Sequence, residues 1–403
     1  MQIFEVGGAV RDELLGLPVQ DRDYVVVGGT PEEMVARGYR PVGKDFPVFL
    51  HPVTHAEYAL ARTERKTGPG YKGFAFHADP AVRLEEDLLR RDLTINAMAR
   101  GADGKIVDPF GGQADLQQRV LRHVSPAFAE DPVRILRVAR FTARFTDFMV
   151  APETLQLMAL MVANGEVDHL VPERVWQELA RGLMESQPAR MIRLLRACGA
   201  LARLLPELDA LFGVPQPAAW HGGLDAGEHT LAVVDCAAIQ GAPLAVRWAC
   251  LLHDLGKGVS DPANHPHHYG HEATGAELAR ALSDRCKAPV DCRDLAVLVA
   301  REHGVIHRAA ELRPATVVDL LERCDALRRP ERFELLLEAC AWDWLPRPGR
   351  AGQAYAPGEI LARARAAAAG VDAGAVARGC ADKARIAEAV RLARIDAVRG
   401  ILA

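Results

Sequence analysis

The chain has 403 residues, 49% of them hydrophobic and 25% charged, a length that allows two to four domains and the composition of an ordinary globular protein. A formal net charge of −4 argues against a body coated in polyanion, and no run reaches the roughly 18 uncharged apolar residues of a membrane span. The opening MQIFEVGG lacks the basic and then apolar regions of a secretory leader, so a cytoplasmic location is expected.

VGGAVRD, residues 6–12, ends an apolar run with two glycines ahead of a helical pattern. Paired glycines let backbone N–H groups approach a phosphate, and Arg11 can reach a triphosphate; taken alone, the pair reads as a plain turn. DRDYVVVG, residues 21–28, then sets two carboxylates one residue apart at the mouth of an apolar strand. Alternate strand side chains share a face, so Asp21 and Asp23 are expected to point the same way with a cation between them. Mg²⁺ suits that place, being hard and usually shared between carboxylates and substrate phosphates. Such ions activate a hydroxyl and neutralise a leaving pyrophosphate.

Short β-like runs continue in PVFLHP, AEYALAR and KIVDPF, with HPVTH (51–55) as the turn of a hairpin and TGPGYKG (67–73) as a mobile loop behind Arg62, Arg65 and Lys66. Glu57 is a candidate third metal-facing carboxylate or an exposed strand acid. RRDLTINAM (90–98) reads as a loop-to-helix step with Arg90, Arg91 and Asp92 toward a polar ligand and Ile95, Ala97 and Met98 inward. The alternative is a helix start carrying a charge pair.

Beyond about residue 125 nearly everything reads as helix, with Pro152, Pro172, Pro188, Pro206 and Pro215 at the joints. EDPVRILRVARFTARF is predicted helical from Pro132, with Asp131 as N-cap, and Arg134, Arg137, Arg140 and Arg144 form a basic stripe. Like charges at that spacing destabilise an isolated helix; a bound polyanion would offset this. Arg190, Arg193, Arg196 and Arg203 follow with no acid among them. Such stripes on a neutral body suit a grip on one nucleic acid segment, with a solvated helix face as the alternative.

RWACLLHDLGKG (247–258) sets His253 beside Asp254 at the end of an apolar helix, with His229 upstream in GEHTL. Neutral imidazoles and a carboxylate can bind a transition metal that activates water. His265, His267, His268 and His271 crowd the next loop, and His303 and His307 share a helix face. The eight cysteines, Cys198 to Cys380, contain no Cys-x-x-Cys pair, which predicts buried free thiols. The expected architecture is α+β: a mixed-sheet head at 1–125, a helical neck and binding region at 126–224, a histidine-rich helical domain at 225–345 and an Ala-rich helical tail at 346–403.

GGAVRD, the DRD pair, LARTERK, RRDLTINAM, DPFGG (108–112) and EDPVRILRVARF (130–141) stand in the order found in class II tRNA nucleotidyltransferases, which the chain resembles over nearly its whole length, most strongly to about residue 275. The resemblance implies a polymerase-β-like head on neck, body and tail helices, and addition of C, C and A to tRNA 3′ ends from CTP and ATP without a nucleic acid template. It implies that Gly8 and Arg11 contact the nucleotide, that Asp21 and Asp23 bind Mg²⁺, and that Arg91, Arg137 and Arg140 hold nucleotide or phosphate, with Asp92 near a ribose hydroxyl. Asp131 and Arg134 would read the base edge in place of a template, a task that competes with capping for Asp131. The 67–73 loop would close over the nucleotide or the tRNA end, and the Arg190, Arg193 and Arg196 stripe would touch the acceptor arm.

The adjacent His253 and Asp254 with upstream His229 resemble the motif of HD-type phosphohydrolases. That implies 2′,3′-cyclic phosphodiesterase, 2′-nucleotidase and nickel-supported phosphatase activities, with His229, His253 and Asp254 on the metal. The motif's closing aspartate is Asp325 or Asp343, since AWDWLPRPGR departs from the Glu-Ala-Asp-x-Arg-Gly-Arg pattern, which leaves a degenerate HD domain as an alternative. Rival readings are a poly(A) polymerase, disfavoured by the intact HD pair and the lack of a long basic tail; a protein-uridylylating regulator, which needs more sensory domains; and a tRNA-binding module without catalysis. The expected assembly is a monomer or homodimer away from membranes.

Overall fold

The computed structural model describes every residue except 43–47, 67–73, 219–221, 351 and 403, so the loop expected at 67–73 lies outside the described residues. The chain divides into two compact units, residues 1–178 with 193–204 and residues 179–192 with 205–403.

In the first unit the strands are β1 (Gln2–Val6), β2 (Asp23–Val27), β3 (Arg40–Val42), β4 (Val48–Leu50), β5 (Glu57–Leu60), β6 (Arg62–Lys66), β7 (Phe74–Ala78), β8 (Ala99–Arg100) and β9 (Ile106–Val107). Seven make one sheet in the order β3-β4-β5-β2-β1-β8-β9, and β6 and β7 pair as a separate hairpin. The large sheet is mixed: β2 runs antiparallel to β1 and parallel to β5. As expected of HPVTH, β4 turns back onto β5 through residues 51–56, with the His51 N–H donating to Ala56 O.

Alternation along β2 decides what each face carries. Val25 packs with Val6, Leu88 and Ala99, with Val27 beside them, whereas Val26 packs with Met34, Phe49 and Leu60 on the other side. Tyr24 continues that second face and stacks on Tyr58 with ring centroids 4.4 Å apart. Asp23 therefore ends the Val27, Val25 row, so the apolar face finishes in a carboxylate at the sheet edge. One expectation changes: Asp21 lies in irregular backbone two residues ahead of the strand. The pairing stops at Val6↔Asp23 because Gly7, at φ +72°, turns β1 into the helix Gly8–Leu14.

From residue 126 the chain is helical apart from the short pair at Val120–Leu121 and Met149–Val150. Pro152, Pro172, Pro188 and Pro206 each open a helix, where the missing N–H costs nothing. The arginine-striped helix runs Val133–Arg144 with Pro132 at its cap, one residue later than predicted. In the second unit Ala226–Ile239, Leu244–Leu252, His271–Arg285, Val290–Ile306 and Pro330–Trp344 surround a core that includes Trp248, Leu251 and Phe333, all fully buried. The cysteines are free thiols, six of them buried. No helix among the described residues is long and apolar enough to cross a membrane.

Candidate active sites

The first unit holds a cavity of about 540 Å³ lined by Gly7, Gly8, Arg11, Asp23, Arg62, Arg90, Arg91, Asp92, Asn96, Asp131, Arg134, Arg137, Arg140, Phe141, Arg144 and Arg174. Nine arginines against three aspartates leave an excess of positive charge that a triphosphate matches. Gly8, Arg11, Arg91, Asp92, Asp131, Arg134, Arg137 and Arg140, all singled out from sequence, meet here from segments more than a hundred residues apart. Asp21 does not line the cavity; it is exposed beside it.

Most of these side chains are tied down. Arg11 donates to Asp12 Oδ1 (2.8 Å) and Asn96 Oδ1 (2.5 Å), and its guanidinium lies 5.1 Å from the ring centroids of both Phe141 and Phe145. Arg137 donates to Asp92 Oδ2 (2.7 Å) and Arg140 to Glu178 Oε2 (2.7 Å). Arg134 donates to the carbonyls of Ala127 (2.7 Å) and Arg90 (2.6 Å), fastening the RRD segment to the helix. Asp131 Oδ1 accepts the Val133 N–H (3.1 Å), and its carboxylate takes both Arg174 nitrogens, at 3.1 and 2.7 Å. Its capping role thus exists alongside whatever else it binds. Arg174, Asn96 and Glu178 were not found from sequence: Arg174 is 43 residues from Asp131, with no pattern linking the two.

Gly7 is required twice over. Its φ is +72°, and a Cβ there would stand 3.0 Å from Arg91 Nη1. Arg91 in turn donates to Asp87 Oδ2 (3.3 Å) and Asn96 O (3.4 Å). Ile95, Ala97 and Met98 are fully buried while Arg90, Arg91 and Asp92 face the cavity.

The residues fit a hard divalent cation at the sheet edge. Burial pushes the Asp23 carboxyl up, Arg91 opposes and the Asp21 charge adds to the rise. Arg22, the cation between the two acids in sequence, turns away and pairs with Glu5. Glu57 is the register partner of Asp23 on the parallel strand β5 and so shares its face, putting a third oxygen donor in the same row.

The second centre is assembled by the helices of the second unit. His229, His253 and Asp343 form one trio and Asp254, His271 and His303 another, the atoms of each lying within 4.8 Å of one another. His229 Nε2 is 2.8 Å from Asp343 Oδ1; His253 Nε2 is 3.0 Å from Asp254 Oδ2 and 3.5 Å from Asp343 Oδ1. The structure thus brings Asp343 to the histidines, whereas Asp325 sits at φ +54° paired with Arg328 and Arg329. Asp343 also accepts from Arg347 (2.7 Å) and meets His307 Nε2 at 2.5 Å, and the other His307 nitrogen is 2.8 Å from the Tyr355 hydroxyl.

Of the loop histidines only His271 enters. His268 is held between Ser260 Oγ (2.7 Å) and the Pro215 carbonyl (2.9 Å), and His265 also meets Ser260. Burial opposes charge on His253, but Asp254 and Asp343 outweigh it and raise its pKa to about 10. A proton therefore holds the place that a metal ion would take, and metal binding releases it. His307, by contrast, is driven by burial down to about 4. His253 Nε2 and Asp254 Oδ1 are buried with no hydrogen bond of proper geometry. Imidazole nitrogens with carboxylate oxygens suit a transition metal.

Comparison with known proteins identifies three regions. Residues 3–122 match the poly A polymerase head domain, 147–212 the probable RNA and SrmB-binding site of polymerase A, and 226–327 the HD domain. The multifunctional CCA protein of Azoarcus sp. strain BH72 is 68% identical over 403 residues, covering 100% of this chain and 98% of that protein. The Bacillus stearothermophilus CCA-adding enzyme, solved with CTP, superposes with a TM-score of 0.64 at 26% identity, over 99% of this chain and 89% of that one. The Thermotoga maritima CCA-adding enzyme, solved with tRNA, has the same fold at a TM-score of 0.63 and 20% identity, over 100% of this chain and 90% of its own.

Proposed function

The chain belongs to the multifunctional CCA proteins, class II nucleotidyltransferases that carry an HD domain, and from that membership we propose that it completes tRNA 3′ ends with C, C and A drawn from CTP and ATP. The observation that carries this reading is the arginine-lined cavity whose mouth ends in Asp23. In the reaction the 3′-hydroxyl oxygen of the tRNA bonds to the α-phosphorus, the bond to the pyrophosphate oxygen breaks, and the hydroxyl proton is released. Asp21 and Asp23, with Glu57 alongside, are the residues that would hold Mg²⁺, which lowers the pKa of the hydroxyl and neutralises the leaving group.

Gly8, Arg11, Arg91, Arg137 and Arg140 bind the triphosphate in this reading. Asp92 spends Oδ1 on Leu93 N–H and Asn96 and Oδ2 on Arg137, which leaves acceptor capacity on Oδ2 for a ribose hydroxyl. Asp131 and Arg134 read the base edge by exchanging or sharing their present bonds to Arg174, Ala127 O and Arg90 O. Arg193 and Arg196, exposed on the helix Pro188–Ala197, meet acceptor-arm phosphates. The closing role of 67–73 belongs to residues outside those described.

The HD domain hydrolyses 2′,3′-cyclic phosphodiesters and 2′-phosphates: a water oxygen bonds to phosphorus, the ester P–O bond breaks, and the leaving alkoxide takes a proton. His229, His253, Asp254 and Asp343 would hold Ni²⁺ or a similar ion, which acidifies the water.

The test uses tRNA lacking its 3′ end. Asp21→Asn or Asp23→Asn is expected to cut pyrophosphate release from CTP by at least ~100-fold, the loss of several kcal/mol of charge stabilisation; undiminished release would overturn the head assignment. With single labelled nucleotides a CCA enzyme stops after three additions, and a longer A tract would point to a poly(A) polymerase. On 2′,3′-cyclic AMP with Ni²⁺, His253→Ala and Asp343→Ala should abolish hydrolysis while Asp325→Asn retains it.

A further inference from the structure

We propose that the HD domain holds two divalent cations rather than one, the second bound by Asp254, His271 and His303. The inference rests on the hydrolase reading of this domain and adds a site to it. The two oxygens of Asp254 face different partners. Oδ2 accepts from Lys257 Nζ at 2.6 Å and is 3.0 Å from His253 Nε2. Oδ1 looks the other way, 3.5 Å from both His271 Nε2 and His303 Nε2, and it accepts no hydrogen bond although Asp254 is only 1% exposed.

The imidazoles on that side are set to be ligands. His271 Nδ1 is 2.7 Å from the His268 carbonyl and His303 Nδ1 is 3.0 Å from the Val299 carbonyl. A carbonyl only accepts, so each Nδ1 carries the hydrogen. In the neutral ring Nε2 is then a lone pair, and both lone pairs are aimed at a carboxylate oxygen. An acceptor facing an acceptor is repulsive unless a cation lies between, and backbone carbonyls that fix the ring tautomer are the usual support of a metal-bound histidine. His271 Nε2 is itself buried without a hydrogen-bond partner.

Asp254 thereby becomes a bridge, with His229, His253 and Asp343 completing the first site. His307 stays outside the second set because its Nε2 is committed to Asp343 and its other nitrogen to Tyr355. Three protein ligands leave open coordination positions, and His271, 14% exposed, opens the second site outward. Two neighbouring divalent cations neutralise the oxygens of a phosphate ester on both sides of the breaking bond, so the ligand class is a phosphomonoester or cyclic phosphodiester spanning both.

The test is metal content in the full-length chain carrying Asp21→Asn and Asp23→Asn, so that the head does not contribute ions. After loading with Mn²⁺ or Co²⁺ and desalting, elemental analysis should find two ions per chain with a spin-coupled paramagnetic resonance signal. His271→Ala, at a partly exposed position, should reduce the count to one and abolish the coupling. One uncoupled ion in the parent chain, or a count that His271→Ala leaves at two, would overturn the second site. If one ion is found and cyclic phosphate is still hydrolysed, the hydrolase reading stands without the bridge. Two coupled ions with no hydrolysis of any phosphate ester would sink the hydrolase reading and leave the site.

Discussion

Asp92 shows how one side chain joins fold and chemistry. Burial pushes its carboxyl up, but Arg137, Asn96 and Arg134 outweigh that and hold it well below the usual carboxylate range. A carboxylate with a depressed folded-state pKa contributes stability above its unfolded value of ~3.9 and loses it as pH falls through the folded value. Asp92→Asn should therefore lower the stability of the head by about 2–4 kcal/mol at pH 7, the range for breaking one partner out of a buried pair. Urea denaturation at descending pH should show the gap narrowing below pH 4; a gap that stays constant down to pH 2 would mean that Asp92 acts through packing. Asp92 was recognisable in RRDLTINAM, but its bond to Arg137 spans 45 residues and its sequence neighbourhood does not announce it. The same holds for Asp131, whose capping bond was legible and whose Arg174 partner was not.

At the scale of elements, the segment after His253 and Asp254 packs backbone to backbone against the helix His271–Arg285. A Cβ on Gly256 would fall 2.0 Å from the His271 carbonyl oxygen and 2.8 Å from Gly275 N. No side chain can be fitted without moving the helix that presents His271. Gly256→Ala should cost about 1–3 kcal/mol, as overpacking does, lower the melting temperature of the second unit and remove phosphodiester hydrolysis, while CCA addition continues. Calorimetry with paired activity assays checks this, and unchanged hydrolysis would show that the helix position tolerates the shift. HDLGKG displayed the glycine, but contact between segments 15 residues apart is decided by packing. The apolar strand YVVVG and the proline-opened helices were legible because period and punctuation are local properties. The start of β2 at Asp23 rather than Asp21 was not, since it depends on where the partner strand β1 ends.

At the scale of the whole chain, each centre draws its residues from a single unit: the nucleotide cavity from residues 7–174 and the HD centre from 229–355. Their metals also differ in kind, oxygen donors in the head and imidazole nitrogens in the HD domain. Chelation followed by Mg²⁺ alone is therefore expected to restore nucleotide addition and leave cyclic phosphate hydrolysis at background until Ni²⁺ or Co²⁺ is added; simultaneous recovery of both on Mg²⁺ would contradict separate centres. The sequence by itself determined the α+β order, the two chemistries and most of the residues that line the nucleotide cavity, because motif spacing, periodicity and residue type are written along the chain. Only the tertiary structure chose Asp343 over Asp325, brought Arg174 to Asp131 and set His271 and His303 against the far oxygen of Asp254. Each of those pairings joins distant residues through the packing of separate helices, and side-chain identity alone carries no record of which helices will meet.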